Sequence, residues 1–328
     1  MTGPAPTTAT SPRDTVPALL SVVVPCFNEE EAVEHTYRAI KDVLLSLTGF
    51  EHEIIFVDDG SADETLPRLN QLMARDPAVR ALSLSRNFGH QIALAAGLDA
   101  AVGDAVVMLD ADLQHPPTLI PELVACWRQG ADVVSAIRQE TAGESWFKRM
   151  TSRQFYRVLN ALSNTKVPAG AADFCLLSHR VCVSLRDMPE RHRFLRGLIS
   201  WVGYPRAFVP YVAPRRAMGK TKYSFVKMLA LALDAVFSFS AEPLRLALRT
   251  GVVVAFGGFV YLAWTLIYGY LISGLVPGYA SLIGVTLILG GFQLIFIGLV
   301  GQYLSRVFDE VKGRPLYLLK QEPPPARR

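Results

Sequence analysis

Residues 104–117 read DAVVMLDADLQHPP, and this stretch decides the fold. The apolar run from Ala105 to Leu109 is short enough for a strand buried on both faces, and the acids Asp110 and Asp112 stop it. The same arrangement recurs on either side. Upstream, LLSVVVP (19–25) reads as a buried strand leading into a helix from Asn28 to about Leu47. Asn28 is placed to cap that helix, with Glu29, Glu30 and Glu31 in its first turn. EIIFVDDGS (53–61) is a second strand ending in acids, Asp58 and Asp59. A helix to about Arg75, a strand at 79–84 and a helix near 89–102 follow, and downstream ADVVSAIR (131–138) is a further strand. Short apolar runs alternating with amphipathic segments predict an α/β domain, a parallel sheet covered by helices. Such sheets bind ligands at the carboxyl ends of their strands, where the acids cluster.

Two carboxylates one residue apart repel each other unless a cation lies between them, and oxygen ligands favour Mg²⁺ or Mn²⁺. Asp110 and Asp112 are therefore candidate metal ligands, with Gln114 supplying a further oxygen. An Asx turn closing the strand, with His115, Pro116 and Pro117 continuing the loop, accounts for the same residues. The spacing leaves both readings open.

Composition adds a membrane. The chain has 328 residues, 51% hydrophobic and 19% charged, with a mean hydropathy of +0.27, which excludes a disordered or fibrous protein and is high for a soluble enzyme. From Thr250 to Ser305 there is no Asp, Glu, Lys, Arg or His. Two spans are predicted there, Gly251–Ile272 and about 281–305, joined by SGLVPGY; 22 residues at about 1.5 Å each cross a hydrocarbon core. Ser145–Leu162 reads as an amphipathic helix carrying Arg149 and Arg153. Pro205–Lys222 is basic, and Ser224 to about Leu248 reads as a helix in the interface plane. Arg245 and Arg249 flank one end of the spans, and Arg306, Lys312, Arg314 and Lys320 the other. Charge bias therefore puts both termini and the α/β domain on the cytoplasmic side of the plasma membrane. Residues 1–18, rich in Pro, Thr and Ala, read as a disordered leader without the apolar core of a signal peptide. The net charge of +4 is too small to argue for nucleic acid, and the four cysteines show no zinc or disulfide spacing.

The ordered segments VVVPCFNEE (22–30), IIFVDDGSADET (54–65), LSRNFGHQIALAAGLDAA (84–101), VVMLDADLQHPP (106–117), ADFCLL (172–177) and GKTKYS (219–224) carry a resemblance. The chain resembles the family 2 glycosyltransferases. Within them it is similar to the polyisoprenyl-phosphate glycosyltransferases, represented by dolichyl-phosphate mannose synthase and the bacterial undecaprenyl-phosphate glucosyltransferases. The resemblance implies a GT-A-type, Rossmann-like nucleotide-sugar domain over 19–220, interfacial helices over 221–249, two membrane helices over 250–305 and a basic tail over 306–328.

It also implies roles. Pro25, Phe27, Asn28 and Glu29 would hold the base and ribose, Asp58 or Asp59 would read the base edge, and Ala111 and Arg138 would lie along the donor. Asp110, Asp112 and Gln114 would hold the metal on the diphosphate. Arg149, Arg153, Arg216, Lys222 and Tyr223 would meet the lipid phosphate. Arg86 and Asn87 fit the family pattern, and His90 reads either as a packed neighbour or as a catalytic group. Asp173 is the residue at the reacting centre, orienting the acceptor or stabilising charge at the sugar carbon, with base catalysis as the other option. A loop aspartate capping a helix would also explain it.

The implied reaction is an inverting, metal-dependent transfer of one sugar from a nucleotide sugar to polyprenyl phosphate at the cytoplasmic membrane face. The two-span architecture points to UDP-glucose and undecaprenyl phosphate, with GDP-mannose as the alternative donor. A catalytically silent membrane binding protein stays open as a different class. A processive synthase does not fit, because no QxxRW motif is present. A homo-oligomer is expected by the same resemblance, and GGF at 257–259 and 290–292 offers small residues for helix packing.

Overall fold

The computed structural model describes residues 18–139, 171–188, 190–191, 193–212, 242–272 and 279–320. The chain forms two compact units, one of Met1–Arg157, Thr165–Ser224 and Arg314–Arg328, the other of Val158–Asn164 and Phe225–Gly313.

The first unit is built on seven strands: β1 (Ala18–Cys26), β2 (Phe50–Asp58), β3 (Val79–Ser83), β4 (Ala105–Met108), β5 (Val133–Arg138), β6 (Ala171–Ser178) and β7 (Arg206–Tyr211). Their order in the sheet is β3-β2-β1-β4-β6-β5-β7. β1 lies parallel to β2 and β4, β2 to β3, and β5 to β7, whereas β6 runs antiparallel to both β4 and β5. The sheet is therefore mixed, which corrects the all-parallel expectation. A strand buried on both faces shows the same apolar run whichever way it points, so its direction is invisible in the hydrophobic pattern.

Residues of period two divide between the faces. Val22, Val24, Ile54 and Phe56 join a core with Ile40 and Leu44 of α1 (Val33–Ser46) and with Leu123 and Trp127 of α4 (Ile120–Arg128). The other face takes α3 (His90–Ala100). A Cβ on Gly97 would lie 2.2 Å from Val23 Cγ1, so α3 rests directly on β1 only because that residue has no side chain. The remaining helices of this unit are α2 (Thr65–Arg75), α5 (His179–Arg186) and α6 (Leu195–Trp201).

The second unit contains α7 (Glu242–Ile272) and α8 (Tyr279–Val311). Both predicted spans are helical throughout. Among the described residues one stretch, Leu289–Val311, is long and apolar enough to cross a membrane, and a shorter apolar run, Ala247–Tyr261, precedes it. The helix does not stop at Ser305 as predicted but continues to Val311. The leader, the helix expected over 145–162 and the interfacial segment around 221–241 lie outside the described residues.

Candidate active site

Two loops at the carboxyl end of the sheet are laced together. Asn28 has a left-handed backbone, φ 52°. Its N–H donates to Ser61 Oγ (2.9 Å), and its side-chain oxygen accepts the Ala62 N–H (2.9 Å). The N–H groups of Glu29 and Glu30 donate to Thr65 Oγ1 and Asp63 Oδ2. Asn28 is thus not the cap of α1, which starts at Val33 after Ala32 with no side-chain cap. Asparagine tolerates the left-handed region because its short side chain bonds locally, and here it joins the β1 loop to the β2 loop. Phe27, 44% exposed beside it, presents an aromatic face at the end of β1, while Pro25 is buried within the strand.

Asp58 and Asp59 are both buried and both have protein partners. Asp58 accepts from the Ser61 N–H (3.1 Å) and Ser83 Oγ (3.0 Å). Asp59 accepts from the N–H groups of Phe88 (2.7 Å) and Gly89 (2.9 Å). Burial pushes the Asp59 carboxyl up, and those two amides pull in the opposite direction. The geometry gives these acids the job of shaping the loops at 61 and 83–89. Gly60 lies between those loops at φ 70°, and a Cβ there would sit 2.5 Å from the Arg86 carbonyl carbon. Gly60→Ala is therefore expected to destabilise the domain by about 2 kcal/mol or more, from left-handed strain plus backbone contact. A thermal melt of the purified protein checks this.

The second cluster forms where β4 meets β6. The register that pairs Met108 with Cys175 brings Asp110 beside Asp173 two residues further on. Asp173 lies inside a strand and is buried, not on a capping loop as one reading of the sequence had it. Arg196, from α6, grips it with two parallel bonds, Nε to Oδ1 at 2.6 Å and Nη2 to Oδ2 at 2.8 Å. Gln91 donates to Asp173 Oδ2 (3.2 Å) and accepts the Leu195 N–H (3.0 Å), tying α3 and α6 to the same carboxylate. His90 Nε2 is 2.9 Å from Asp110 Oδ1, and its Nδ1 is 3.9 Å from Asp173 Oδ2.

His115 completes the floor. It stacks on Phe174 with ring centroids 5.2 Å apart, and its Nδ1 accepts the Asp110 N–H (3.1 Å). Burial holds the His115 ring below the usual histidine range against the pull of Asp110, Asp112 and Asp173, and its Nδ1 lies 3.4 Å from Asp110 Oδ2. Burial acts on His90 in the same direction, but the bond to Asp110 and the nearby carboxylates outweigh it and raise that ring. Burial alone would push Asp110 up. The His90 bond and the electrostatic pull of His115, His90 and Arg196 overcome it and hold the carboxyl at about 2.

Asp112 Oδ1 accepts the Gln114 N–H at 3.0 Å, which is the Asx turn of the second reading. Ala111 is buried, and its carbonyl accepts a 2.6 Å bond from Thr36 Oγ1, pinning this turn to α1. Among the described residues, no three His, Cys, Asp or Glu side chains converge as a protein-only cage. Asp110 and Asp112 offer two hard carboxylates, and that donor set suits a small divalent cation that draws its other ligands from phosphate and water. The backbone turn at Gln114 and the side-chain reading of Gln114 as a ligand are separate matters, and only the turn is seen.

Arg138 is exposed at the carboxyl end of β5, in register with Tyr211. Arg86 and Asn87 are exposed, with the Arg86 guanidinium 4.2 Å over the Phe88 ring. Arg149, Arg153, Arg216, Lys222 and Tyr223 lie outside the described residues. Sequence reasoning missed Arg196, Gln91 and the part played by His115. The signal for Arg196 was the basic and aromatic run RHRFLR (191–196) just ahead of a helix.

Two family patterns match this chain, "Glycosyl transferase family 2" over residues 21–185 and "GtrB C-terminal hairpin" over residues 242–307. An uncharacterized glycosyltransferase of Synechocystis sp. is 43% identical over 300 residues, 92% of this chain and 94% of its own length. A prophage bactoprenol glucosyl transferase homolog of Escherichia coli (strain K12) is 42% identical over 302 residues, 92% of this chain and 98% of its own. Among solved structures, a mannosyltransferase from Pyrobaculum calidifontis in complex with GDP-Man and Mn²⁺ is similar at a TM-score of 0.47 and 17% identity, covering 94% of this chain and 91% of that one.

Proposed function

The chain belongs to glycosyl transferase family 2 and is a glycosyltransferase, and from that premise we propose that it moves one glucose from UDP-glucose to undecaprenyl phosphate at the cytoplasmic face of a membrane. The observation that carries this reading is the grip of Arg196 on Asp173. A carboxylate held by a guanidinium through both oxygens is poorly placed to take a proton from a hydroxyl. An acceptor phosphate needs no such base, because its second pKa is about 6 and it arrives largely ionised. Relatives named bactoprenol glucosyl transferases support both the lipid and the sugar.

In this reading the exposed ring of Phe27 stacks on the base, and the interlocked loops at 28–30 and 61–65 form the donor shelf. Asp110 and Asp112 would hold a divalent ion, Mg²⁺ or Mn²⁺, and the chemistry such an ion would supply is charge neutralisation for a diphosphate leaving group. The acceptor phosphate oxygen forms the new bond to the anomeric carbon from the face opposite the breaking bond to UDP, so the centre inverts. Asp173, positioned by Arg196 and Gln91, faces the positive charge that builds on the sugar. Arg138 lies along the donor phosphates, and the basic residues Arg149, Arg153, Arg216 and Lys222, with Tyr223, bind phosphate on the acceptor side.

We place two crossings in the membrane, over 251–272 and the apolar part of α8. Arginines at 245, 249 and 306 keep the first unit cytoplasmic. Open space around Gly257, Gly258, Gly290 and Gly291 supports packing of these helices against a second copy.

The test supplies membranes containing the protein with labelled UDP-glucose or GDP-mannose, and with polyprenyl phosphate or bare polyprenol. Label from UDP-glucose is expected in the organic phase only when the phosphate is present. Equal transfer to bare polyprenol would overturn the acceptor assignment, and label from GDP-mannose alone would overturn the donor.

A further inference from the structure

Residues past α8 were expected to form a basic tail. Instead, within the first unit, residues 317–320 dock on the edge of the sheet. β3 is the edge strand. The Ser85 N–H donates to the Leu318 carbonyl and the Lys320 N–H to the Ser83 carbonyl, both at 2.8 Å, with Leu84 and Leu319 paired antiparallel between them. Leu84 is buried, and on its other side its N–H donates to the Asp58 carbonyl (2.9 Å). Tyr317 anchors the same segment to a helix, its hydroxyl donating to Asp99 Oδ2 on α3 (3.1 Å).

These two anchors bracket the connection between β3 and α3. It starts after Ser83, the last residue of β3, whose hydroxyl bonds Asp58, and carries Phe88 and Gly89, whose amides bond Asp59. It runs directly into His90 and Gln91, which bond Asp110 and Asp173. An edge strand left open also exposes unpaired amides at the functional end of the sheet.

We propose that residues 317–320 are a positioning strap for the active site, a strand added by the chain to its own sheet that fixes residues 83–91 and with them the acids they hold. The strap acts through its backbone and the Tyr317 hydroxyl. The Leu318 side chain, 55% exposed, takes no part. The consequence for turnover rests on the glycosyl-transfer reading, whereas the pairing itself does not.

The test uses the full-length protein and four variants. Lys320→Pro removes one N–H from the pairing while leaving the residue before it extended. Lys320→Ala keeps that N–H, Tyr317→Phe removes only the hydroxyl, and Leu318→Ala removes a side chain the strap does not use. Amide hydrogen exchange at Ser85, Phe88 and Gly89 is expected to quicken about five- to tenfold in Lys320→Pro and Tyr317→Phe, the scale of one lost hydrogen bond. It should stay at the wild-type rate in Lys320→Ala and Leu318→Ala. Transfer should fall in the same two variants, chiefly in kcat, and return with Lys320→Ala, while the melting temperature holds. Unchanged exchange in Lys320→Pro and Tyr317→Phe would overturn the strap, and faster exchange with undiminished transfer would overturn its positioning role. If no donor supports transfer by the wild-type protein, the glycosyl-transfer reading fails and the exchange rates alone decide the strap.

Discussion

Asp112→Asn is expected to lower sugar transfer about a hundredfold or more, and chelation of divalent cations is expected to abolish it in the wild-type protein. The magnitude follows from removing one charge-stabilising group at a centre where negative charge develops on a leaving diphosphate. Asp110 is the less informative partner to replace, because it also bonds His90 and its amide meets His115, so Asp110→Asn would disturb a packed network as well as a ligand. Asp112 is cleaner. Its Oδ1 accepts the Gln114 amide in a short turn that an asparagine side chain still closes. A metal titration of initial rates checks both halves, with Mg²⁺ or Mn²⁺ restoring activity after chelation. Full transfer in excess chelator, or an Asp112→Asn enzyme within a few fold of wild type, would remove the metal from the mechanism.

The second large effect concerns the pair on β6 and α6. Asp173→Asn and Arg196→Ala are each expected to reduce kcat by about 10²–10³-fold, with the affinity for the nucleotide sugar changed little. Donor binding is assigned to the loops after β1, β2 and β4, which these residues do not form. The two losses should not add, because each substitution already destroys one bidentate unit. Turnover kinetics with donor binding by calorimetry separates the cases. A double variant whose loss relative to wild type equals the product of the two single losses would mean that the residues act independently. The pH profile gives an independent check. Below about pH 6 the acceptor phosphate loses its second negative charge, so the rate should fall there in wild type and in the residual activity of Asp173→Asn alike. An acidic limb that vanishes with Asp173 would make that carboxylate the base.

Much of the layout at the strand ends was legible in the sequence because it obeys local rules. Runs such as Ile54–Val57 and Ala105–Leu109 are apolar on both faces, and acids directly after them had to sit at strand ends. Asn28 was misread because the capping preference of asparagine and its tolerance of the left-handed region give the same residue at the same place, one step after a strand. Asp173 could not be placed for a different reason. AADFCLLS mixes an acid into a strand, and the pairing that buries it with Arg196 joins elements 23 residues apart. An arginine on a short helix is ordinarily solvated, so the basic and aromatic run around Arg196 did not say which carboxylate it holds. The strap was hidden by its charge: KGRPLYLLK (312–320) reads as a basic tail, while its contacts to β3 use backbone groups that every sequence possesses.

The reversed direction of β6 has an evolutionary consequence. Its first residues open at the end of the sheet where its neighbours finish, so the chain leaves that end along β6 by a single crossing at Asp173. The loops after β1, β2 and β4 share no backbone with that crossing. Insertions, deletions or wholesale replacement ahead of β6 can therefore be inherited without shifting the register that sets Asp110 beside Asp173. A lineage can retain one donor and exchange its acceptors by recombination at this one point, and chimeras joined at residue 171 are the natural place to look for that history in the laboratory.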